Sequence, residues 1–158
     1  MLLCTRVQFA LSSCPKGSVY GRVSAISSLL DGPLWGPVLL RSSDHKLPDV
    51  VVLLRGPAQQ PVRVEVVGRI DSVKGRLRVR FEDVPDVPVS KVVVGMQGGR
   101  KGLIVNSRNL CASKNRAGVK LVGQNGRRAV LRPVVRAVGC KKQRKGKRKA
   151  RRSAHRRR

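Results

Sequence analysis

The chain has few aromatic residues and no long apolar run. Of its 158 residues, two are Phe, one is Tyr and one is Trp. Valine, leucine and glycine must therefore supply most of the packing, and valine favours strands because its branched Cβ suits a pleated sheet. No apolar run approaches the ~18 residues of a membrane-spanning helix. The sequence predicts no transmembrane helix.

The first residues, MLLCTRVQFALSSCP, lack the features of a signal peptide. No basic segment precedes them, and Arg6, Gln8 and two cysteines interrupt the apolar stretch. Two interpretations follow from this: either the protein is cytosolic, or the chain is a fragment of a longer one.

Acidic residues are scarce and confined to one part of the chain. All eight lie between Asp31 and Asp86, against 35 Lys and Arg, and the net charge is +27. From Val87 to Cys140 there are 11 Lys or Arg and no acid. Such a surface attracts polyanions over a Debye length of about 8 Å at physiological salt. The attraction does not distinguish nucleic acid, teichoic acid and acidic lipid.

The segment 141–158 is rich in Lys and Arg and has no hydrophobic pattern. Like charges at this density repel one another, so we predict a disordered tail. It would make sequence-independent phosphate contacts with a nucleic acid, or hold the protein to an anionic surface. The predicted polyanion-binding residues are Lys141, Lys142, Arg144, Lys145, Lys147, Arg148, Lys149, Arg151, Arg152, Arg156, Arg157 and Arg158.

Period-two alternation of apolar and polar residues indicates two β-hairpins. Residues 62–66 and 76–82 alternate on either side of the loop DSVKG, which predicts a hairpin with one buried face. The second hairpin is predicted around Gln124-Asn125-Gly126, because Asn-Gly favours a type I′ turn.

Further strands are predicted from Ser18, over 48–56 with both faces buried, and over 89–96. The Gly-Pro pairs in LLDGPLWGPVLLRSS place that segment at a turn or a sheet edge. We therefore predict an all-β fold, an antiparallel β-sandwich or open barrel of about eight short strands. The predicted division is a disulfide loop over 1–17, a β-rich domain over 18–140 and the tail over 141–158.

The four cysteines form a close pair, Cys4 and Cys14, and a wider pair, Cys111 and Cys140. Zinc sites normally use C-x2–4-C spacing, which is missing, and free thiols in a reducing compartment are a second alternative. Two disulfides fit better, because a Cys111–Cys140 bond would staple the second hairpin and contribute roughly 3–4 kcal/mol. Disulfides persist in oxidising compartments, so this pattern points outside the cytosol.

No constellation of residues predicts catalysis. His45 could pair with Asp44 or Asp49, but no G-x-S-x-G motif supplies a nucleophile. The stretch GMQGGRKG resembles a phosphate loop only loosely, since Gly102 follows Lys101 where Ser or Thr is required. A tight turn between two strands, with LIVN as the second, is the better interpretation. We expect no enzyme activity, no cofactor and no metal.

Several segments together resemble a known family. These are CTRVQFALSSCPKGSVYG, PLWGPVLLRSSDHKLPDVVVLLRG, VGRIDSVKGRLRVRFEDVPDVPVSKVVVGMQGGRKGLIVNSRNLC and LVGQNGRRAVLRPVV. They look like the C-terminal part of large, uncharacterised, secreted or cell-surface proteins of actinobacterial type, over nearly all of residues 4–140. The resemblance implies a β-rich extracytoplasmic module of a longer chain. It carries over no activity and no functional residue.

Two functions follow as expectations. The first is a non-enzymatic, extracytoplasmic structural or interaction module of a cell-surface protein, whose basic tail contacts anionic envelope polymers or lipid headgroups. The alternative is a cytoplasmic nucleic-acid-binding protein that uses the tail for sequence-independent phosphate contacts.

Overall fold

The computed structural model describes residues 1–106, 108–123 and 125–140. They form two units, Met1–Val105 and a second unit that begins at Asn106. The structure is nearly all-β with antiparallel sheets, which confirms the predicted fold class. The predicted β-rich domain, 18–140, contains strands of both units. The predicted disordered tail, 141–158, lies outside the described residues.

The first unit contains one short helix and six strands. In chain order these are α1 (Arg6–Ala10), β1 (Val19–Ser27), β2 (Leu34–Arg41), β3 (Asp49–Arg55), β4 (Arg63–Val73), β5 (Arg76–Phe81) and β6 (Val89–Met96). The second unit contributes β7 (Asn115–Arg116), β8 (Val119–Val122), β9 (Arg128–Leu131) and β10 (Val134–Val135). The described residues thus form ten strands where the sequence predicts about eight, because two of the ten span only two residues each.

The six strands of the first unit form one antiparallel sheet in the order β5-β4-β3-β2-β1-β6, curled into a half-barrel. Strands β1 to β5 are neighbours in chain order, since short loops join antiparallel strands. The segment 82–88 then returns the chain to the far edge, where β6 pairs with β1. The sheet is therefore open, with β5 and β6 as its edges.

The two faces of this sheet carry two separate apolar clusters. The larger cluster lies on what we call the apolar face; its buried members are Tyr20, Val23, Ala25, Leu34, Val38, Leu40, Val50 and Leu54. The smaller cluster comprises Cys4, Phe9, Leu39 and Val51. Strand β3 contributes to both clusters, because alternate residues of a strand point to opposite faces. The prediction that 48–56 is buried on both faces is confirmed.

The N-terminal residues cover the smaller cluster. Helix α1 begins with a capping box. The Gln8 backbone amide donates a hydrogen bond to the Thr5 hydroxyl at 3.1 Å, and the Thr5 backbone amide donates to the Gln8 side-chain oxygen Oε1 at 3.0 Å. The helix places Phe9 against Leu39 and Val51. The predicted Cys4–Cys14 disulfide is present, with a Cα–Cα distance of 5.1 Å, and joins the two ends of this segment.

The prediction that the Gly-Pro segment lies at a turn or a sheet edge is confirmed for Gly32-Pro33, which lies in the turn between β1 and β2. It is wrong for Gly36-Pro37, because β2 lies in the centre of the sheet. The ladder between β2 and β3 pairs Trp35 with Arg55 and Val38 with Val52, and omits Gly36 and Pro37. A Cβ atom on Gly36 would lie 1.6 Å from the Leu53 carbonyl oxygen. A central strand accepts the Gly-Pro pair because glycine permits this close approach and because Pro37 is paired only on the β1 side, with Arg22, and is skipped by the ladder with β3.

The first predicted hairpin is confirmed as β4 and β5, but its loop is shorter than predicted. Val73 pairs with Arg76, which leaves only Lys74 and Gly75 in the turn. Both have positive φ, 52° and 71°, as a type I′ turn requires. The strand therefore continues through 71–73, where the sequence indicated a loop.

The prediction that both strands of this hairpin have a buried face is wrong for β5. Its apolar side chains, Leu77, Val79 and Phe81, remain 71%, 42% and 41% exposed. Strand β5 is an edge strand with a neighbour on one side only, and the buried cluster of the apolar face is centred on β1, β2 and β3.

In the second unit, β7 pairs with β10 and β8 pairs with β9. The predicted second hairpin forms, but not with a type I′ Asn-Gly turn. Gly126 has a positive φ of 74° but Asn125 does not, whereas a type I′ turn requires a positive φ at both residues. The Gly126 amide donates to the Gly123 carbonyl at 2.9 Å. The predicted Cys111–Cys140 disulfide is present, with a Cα–Cα distance of 5.6 Å.

The sequence predicts that the glycine-rich stretch GMQGGRKG is a tight turn between two strands, and this prediction is wrong. After β6 the chain forms a 3-10 turn over Gly99–Lys101, and residues 103–106 form no strand. Ile104 and Val105 are 71% and 86% exposed, so this apolar run lacks the burial that would hold it in a sheet. No helix in the described part of the chain is both long and apolar enough to cross a membrane.

Candidate anion-binding surface

All twelve residues predicted to bind polyanions, Lys141 to Arg158, lie outside the described residues. Among the described residues, a different cationic surface stands out on the first unit. It lies on the sheet face opposite the apolar face, over strands β3, β4 and β5. We call it the arginine face; its members are Arg55, Arg63, Arg69, Arg76, Arg78 and Arg80.

Strand alternation brings these arginines to one side. On β4, Arg63 and Arg69 lie an even number of residues apart, so their side chains leave the same face. On β5, every second residue is an arginine, from Arg76 to Arg80. Successive members of that row are about 6.7 Å apart along the strand. The row matches an extended chain of anions better than a single ion.

The ladder sets like charges directly opposite one another at two places. Arg55 of β3 is the partner of Arg63 of β4, and Arg69 of β4 is the partner of Arg80 of β5. Such partners have Cβ atoms roughly 5 Å apart, and like charges in this arrangement destabilise the sheet. An anion bound between two guanidinium groups would remove that repulsion.

One acid on this face is held by an arginine. The Arg78 Nε donates to both carboxylate oxygens of Asp71, at 2.9 and 3.2 Å, and Arg78 Nη2 also donates to Oδ2. The hydrogen bond from Arg78 lowers the pKa of Asp71 from its usual value, and the same bond raises the pKa of Arg78. Asp71 therefore stays ionised and neutralises one of the six arginines.

Two further acids on this side, which belong to strands β3 and β4, are held by Arg41. Its guanidinium contacts Asp49 at 3.4 Å and Glu65 at 3.2 Å, and lies over the Phe9 ring at 5.1 Å. Asp49 is buried and also contacts His45 Nε2 at 2.9 Å. This cluster ties β2, β3 and β4 to the N-terminal helix, so its acids are unavailable to the arginine face.

Four members of the arginine face consequently carry uncompensated charge. Within the described part of the chain, Arg55, Arg63, Arg69 and Arg76 form no ion pair, and all four are exposed. Arg80 reaches only the exposed Glu82, at 3.4 Å. The surface can therefore bind anions without first breaking an internal ion pair.

The structure brings together His45 and Asp49 but completes no catalytic arrangement there. The Ser43 hydroxyl oxygen lies 2.6 Å from the Leu47 carbonyl oxygen and 3.0 Å from the His45 carbonyl oxygen, so its one proton is directed at the backbone, and it accepts from the His45 amide. Across residues 1–106, 108–123 and 125–140, no serine hydroxyl bonds to the His45 ring. Asp44, the other predicted partner, pairs with Arg6 at 3.3 Å.

The sequence contained a signal for the arginine face. The apolar positions of the alternation at 76–80 predict a hairpin. The intervening positions are all arginine, and the same period places Arg63 and Arg69 in phase on the preceding strand. What the sequence does not reveal is which arginines face one another, because that depends on the ladder register.

Comparisons with protein-family models, with curated proteins and with solved structures find no match. The resemblance to secreted or cell-surface proteins therefore stays a prediction from the sequence.

Proposed function

We propose that the protein is a non-enzymatic, extracytoplasmic interaction module that binds anionic envelope polymers or lipid headgroups. The arginine face carries this proposal: six arginines on one sheet face, four of them without an ion pair among the described residues, form a surface that attracts polyanions. Arginine suits this role because its planar guanidinium binds phosphate or carboxylate with two parallel hydrogen bonds.

The cysteines support an extracytoplasmic compartment. All four described cysteines are in disulfides, and such bonds are typical of secreted and cell-surface proteins. An envelope polymer is then a more accessible polyanion than a nucleic acid. In this proposal the basic tail adds long-range attraction, and the arginine face positions the ligand.

The experiment measures binding of the full chain to a teichoic-acid-type phosphodiester polymer over a series of salt concentrations. We expect the double variant R69Q/R80Q to bind more weakly and to lower the slope of log affinity against log salt by about two, one for each lost phosphate contact. The matched control K16Q/R100Q removes the same charge from positions outside strands β3 to β5 and should have a smaller effect.

Equal weakening by the two double variants would show that only overall charge matters, and would overturn the arginine face as the binding site. Deleting 141–158 tests the contribution of the tail. Binding that is lost with the tail and is unchanged in R69Q/R80Q would also overturn the arginine face as the binding site. Tighter binding to duplex DNA than to the envelope polymer at the same salt would favour the nucleic-acid alternative.

A further inference from the structure

The only tryptophan of the chain, Trp35, is exposed in the middle of the sheet. It belongs to β2, a central strand, and is 60% exposed although Leu34 beside it is 5% exposed. Tryptophan is highly buried on average because its ring is large and apolar. Strand β2 is paired on both sides, so its backbone holds the base of the Trp35 side chain in a fixed position. A binding platform requires such a fixed position.

Cationic and apolar groups surround this ring. In the ladder Trp35 lies between Ser24 of β1 and Arg55 of β3, and Arg55 pairs in turn with Arg63 of β4. Beside the ring is a shallow depression of about 370 Å³, lined by Val19, Arg22, Trp35, Gly36 and Pro37. Trp35 thus stands on the same side of the sheet as the arginine face, with Arg22 and Arg55 close to it.

No arginine among the described residues lies over the Trp35 ring. Among the described residues, the cation–π contact that the structure contains is the one between Arg41 and Phe9. The ring is therefore free to stack on a ligand, and Arg22 and Arg55 are free to bind a charged substituent, since neither is in an ion pair within the described ranges.

We propose that Trp35, Arg22 and Arg55 form a binding site for an anionic saccharide, and this rests on the proposed function. A sugar ring lies over the indole and in the depression beside it, and its carboxylate or phosphate group is held by the two arginines. The indole supplies an apolar, rigid platform, and the guanidinium groups supply charge-assisted hydrogen bonds. The site gives the protein a preference for one kind of polymer, which electrostatic attraction alone does not provide.

A saccharide fits this site better than a nucleic acid does. Single-strand binders stack successive bases on several aromatic side chains, whereas here one ring is exposed on this face. Phe9 and Tyr20 are buried, and Phe81 belongs to the apolar face. A single platform recognises one ring of a repeating polymer.

Trp35 emission reports on this site directly, since the chain has no other tryptophan. The full chain is titrated with an oligosaccharide of uronic acids, with a sugar-phosphate oligomer, and with a neutral glucose oligosaccharide of equal length. We expect a saturable change in emission with at least one acidic probe and at least about tenfold weaker binding of the neutral one, because charge-assisted hydrogen bonds are lost. The two acidic probes distinguish carboxylate from phosphate as the preferred group.

Variants are compared by calorimetry, which needs no tryptophan. We expect W35A to weaken binding of the preferred acidic probe at least about fivefold, the lower end of what loss of aromatic stacking costs, and W35F to retain most of the affinity. R22Q should weaken binding more than R100Q, which removes the same charge outside the sheet. An unchanged thermal unfolding midpoint of W35A shows that its loss of affinity does not come from misfolding, and W35F tests whether an aromatic ring is sufficient at this position.

Binding of an acidic probe with unchanged Trp35 emission, and with equal affinity in W35A, would overturn this site and leave the proposed function standing. Failure of the full chain to bind any acidic polymer, including the phosphodiester polymer, would instead overturn the proposed function. An oligonucleotide that changes Trp35 emission at lower concentration than either acidic saccharide would overturn the saccharide assignment.

Discussion

The first unit buries thirteen apolar side chains on the two faces of one sheet, whereas none of the described apolar side chains of the second unit is buried. Among the described residues of the second unit, Asn115 alone is buried, and the regular structure that they form is two two-stranded sheets. Each unit contains one disulfide. The disulfide of the first unit adds to the stability of a packed apolar core. The disulfide of the second unit must supply the stability that such a core would otherwise give.

This difference shows how a single covalent device can have two roles. Small regions that cannot bury enough apolar surface depend on disulfides for their stability. Cys4 is fully buried beneath helix α1, while Cys111 and Cys140 are exposed. The Cys111–Cys140 bond therefore acts through the entropy of the chain that it closes, with little packing to support it.

The double variant C111S/C140S of the full chain should change the second unit far more than any other substitution considered. The bond joins residues 29 apart and contributes about 3.6 kcal/mol in the chain-entropy model. Because the described residues of the second unit form no buried apolar cluster that could compensate for its loss, we expect β7 to β10 to exchange their amide protons at nearly unfolded rates. Hydrogen exchange with mass spectrometry measures this, and unchanged protection over 108–123 would contradict it.

The matched control is C4S/C14S, whose bond joins residues ten apart and contributes about 2.8 kcal/mol in the same model. We expect β1 to β4 to keep their protection, because their ladders and apolar clusters remain. A mild reductant should also open the exposed Cys111–Cys140 bond before the Cys4–Cys14 bond, since access limits thiol exchange. Labelling of the released thiols reports the order.

A smaller effect is expected when Asn115 is changed to alanine. Its side-chain amide donates to the Leu110 carbonyl at 2.7 Å and to the Ser113 carbonyl at 3.0 Å, in a residue that is 5% exposed. Losing both bonds leaves two acceptors without this donor, which costs about 1–2 kcal/mol. Amide exchange over 108–123 should rise in N115A. The control S113A keeps the accepting carbonyl and should leave the exchange unchanged.

The smallest effect concerns Asp71 on the arginine face of the first unit. Hydrogen bonding from Arg78 lowers its pKa, so the folded state holds this proton less tightly than the unfolded chain. The stability that the pair contributes is therefore present above the unfolded pKa and is lost as the pH falls through the folded pKa.

An NMR titration of the Asp71 carboxyl carbon checks this directly. In R78Q we expect the pKa of Asp71 to move up toward its usual value, whereas R80Q should shift it less, because Arg80 acts on it only through its charge. An unchanged pKa in R78Q would show that the hydrogen bond seen in the structure does not persist in solution.

Local patterns predicted a large part of the fold. The alternation around 62–82 predicts β4 and β5, the valine-rich runs predict β3 and β6, and the cysteine spacing favours the two disulfides that the structure contains. These features depend on the two-residue period of a strand and on chain distance, and both can be read without knowing the neighbours of a segment.

Other features could not be predicted because they depend on distant neighbours. The Gly36-Pro37 pair favours a sheet edge, yet it lies in a central strand. Gly36 fits there because it has no Cβ atom to collide with the Leu53 carbonyl oxygen of β3. The run 103–106 has the composition of a strand, but it gains no ladder partner. Propensity in each case was overridden by the presence or absence of a partner strand.

Composition, residue period and cysteine spacing are local properties of the chain, and they were sufficient to predict the all-β character, the cationic charge and the cysteine pairs. The folded sheet brings β6 back to β1, sets Arg69 opposite Arg80 and leaves Trp35 exposed beside Arg55. Strand order and register set those neighbours, and a shift of one residue would move every side chain of a strand to the opposite face. The candidate binding surface therefore exists only in the folded sheet.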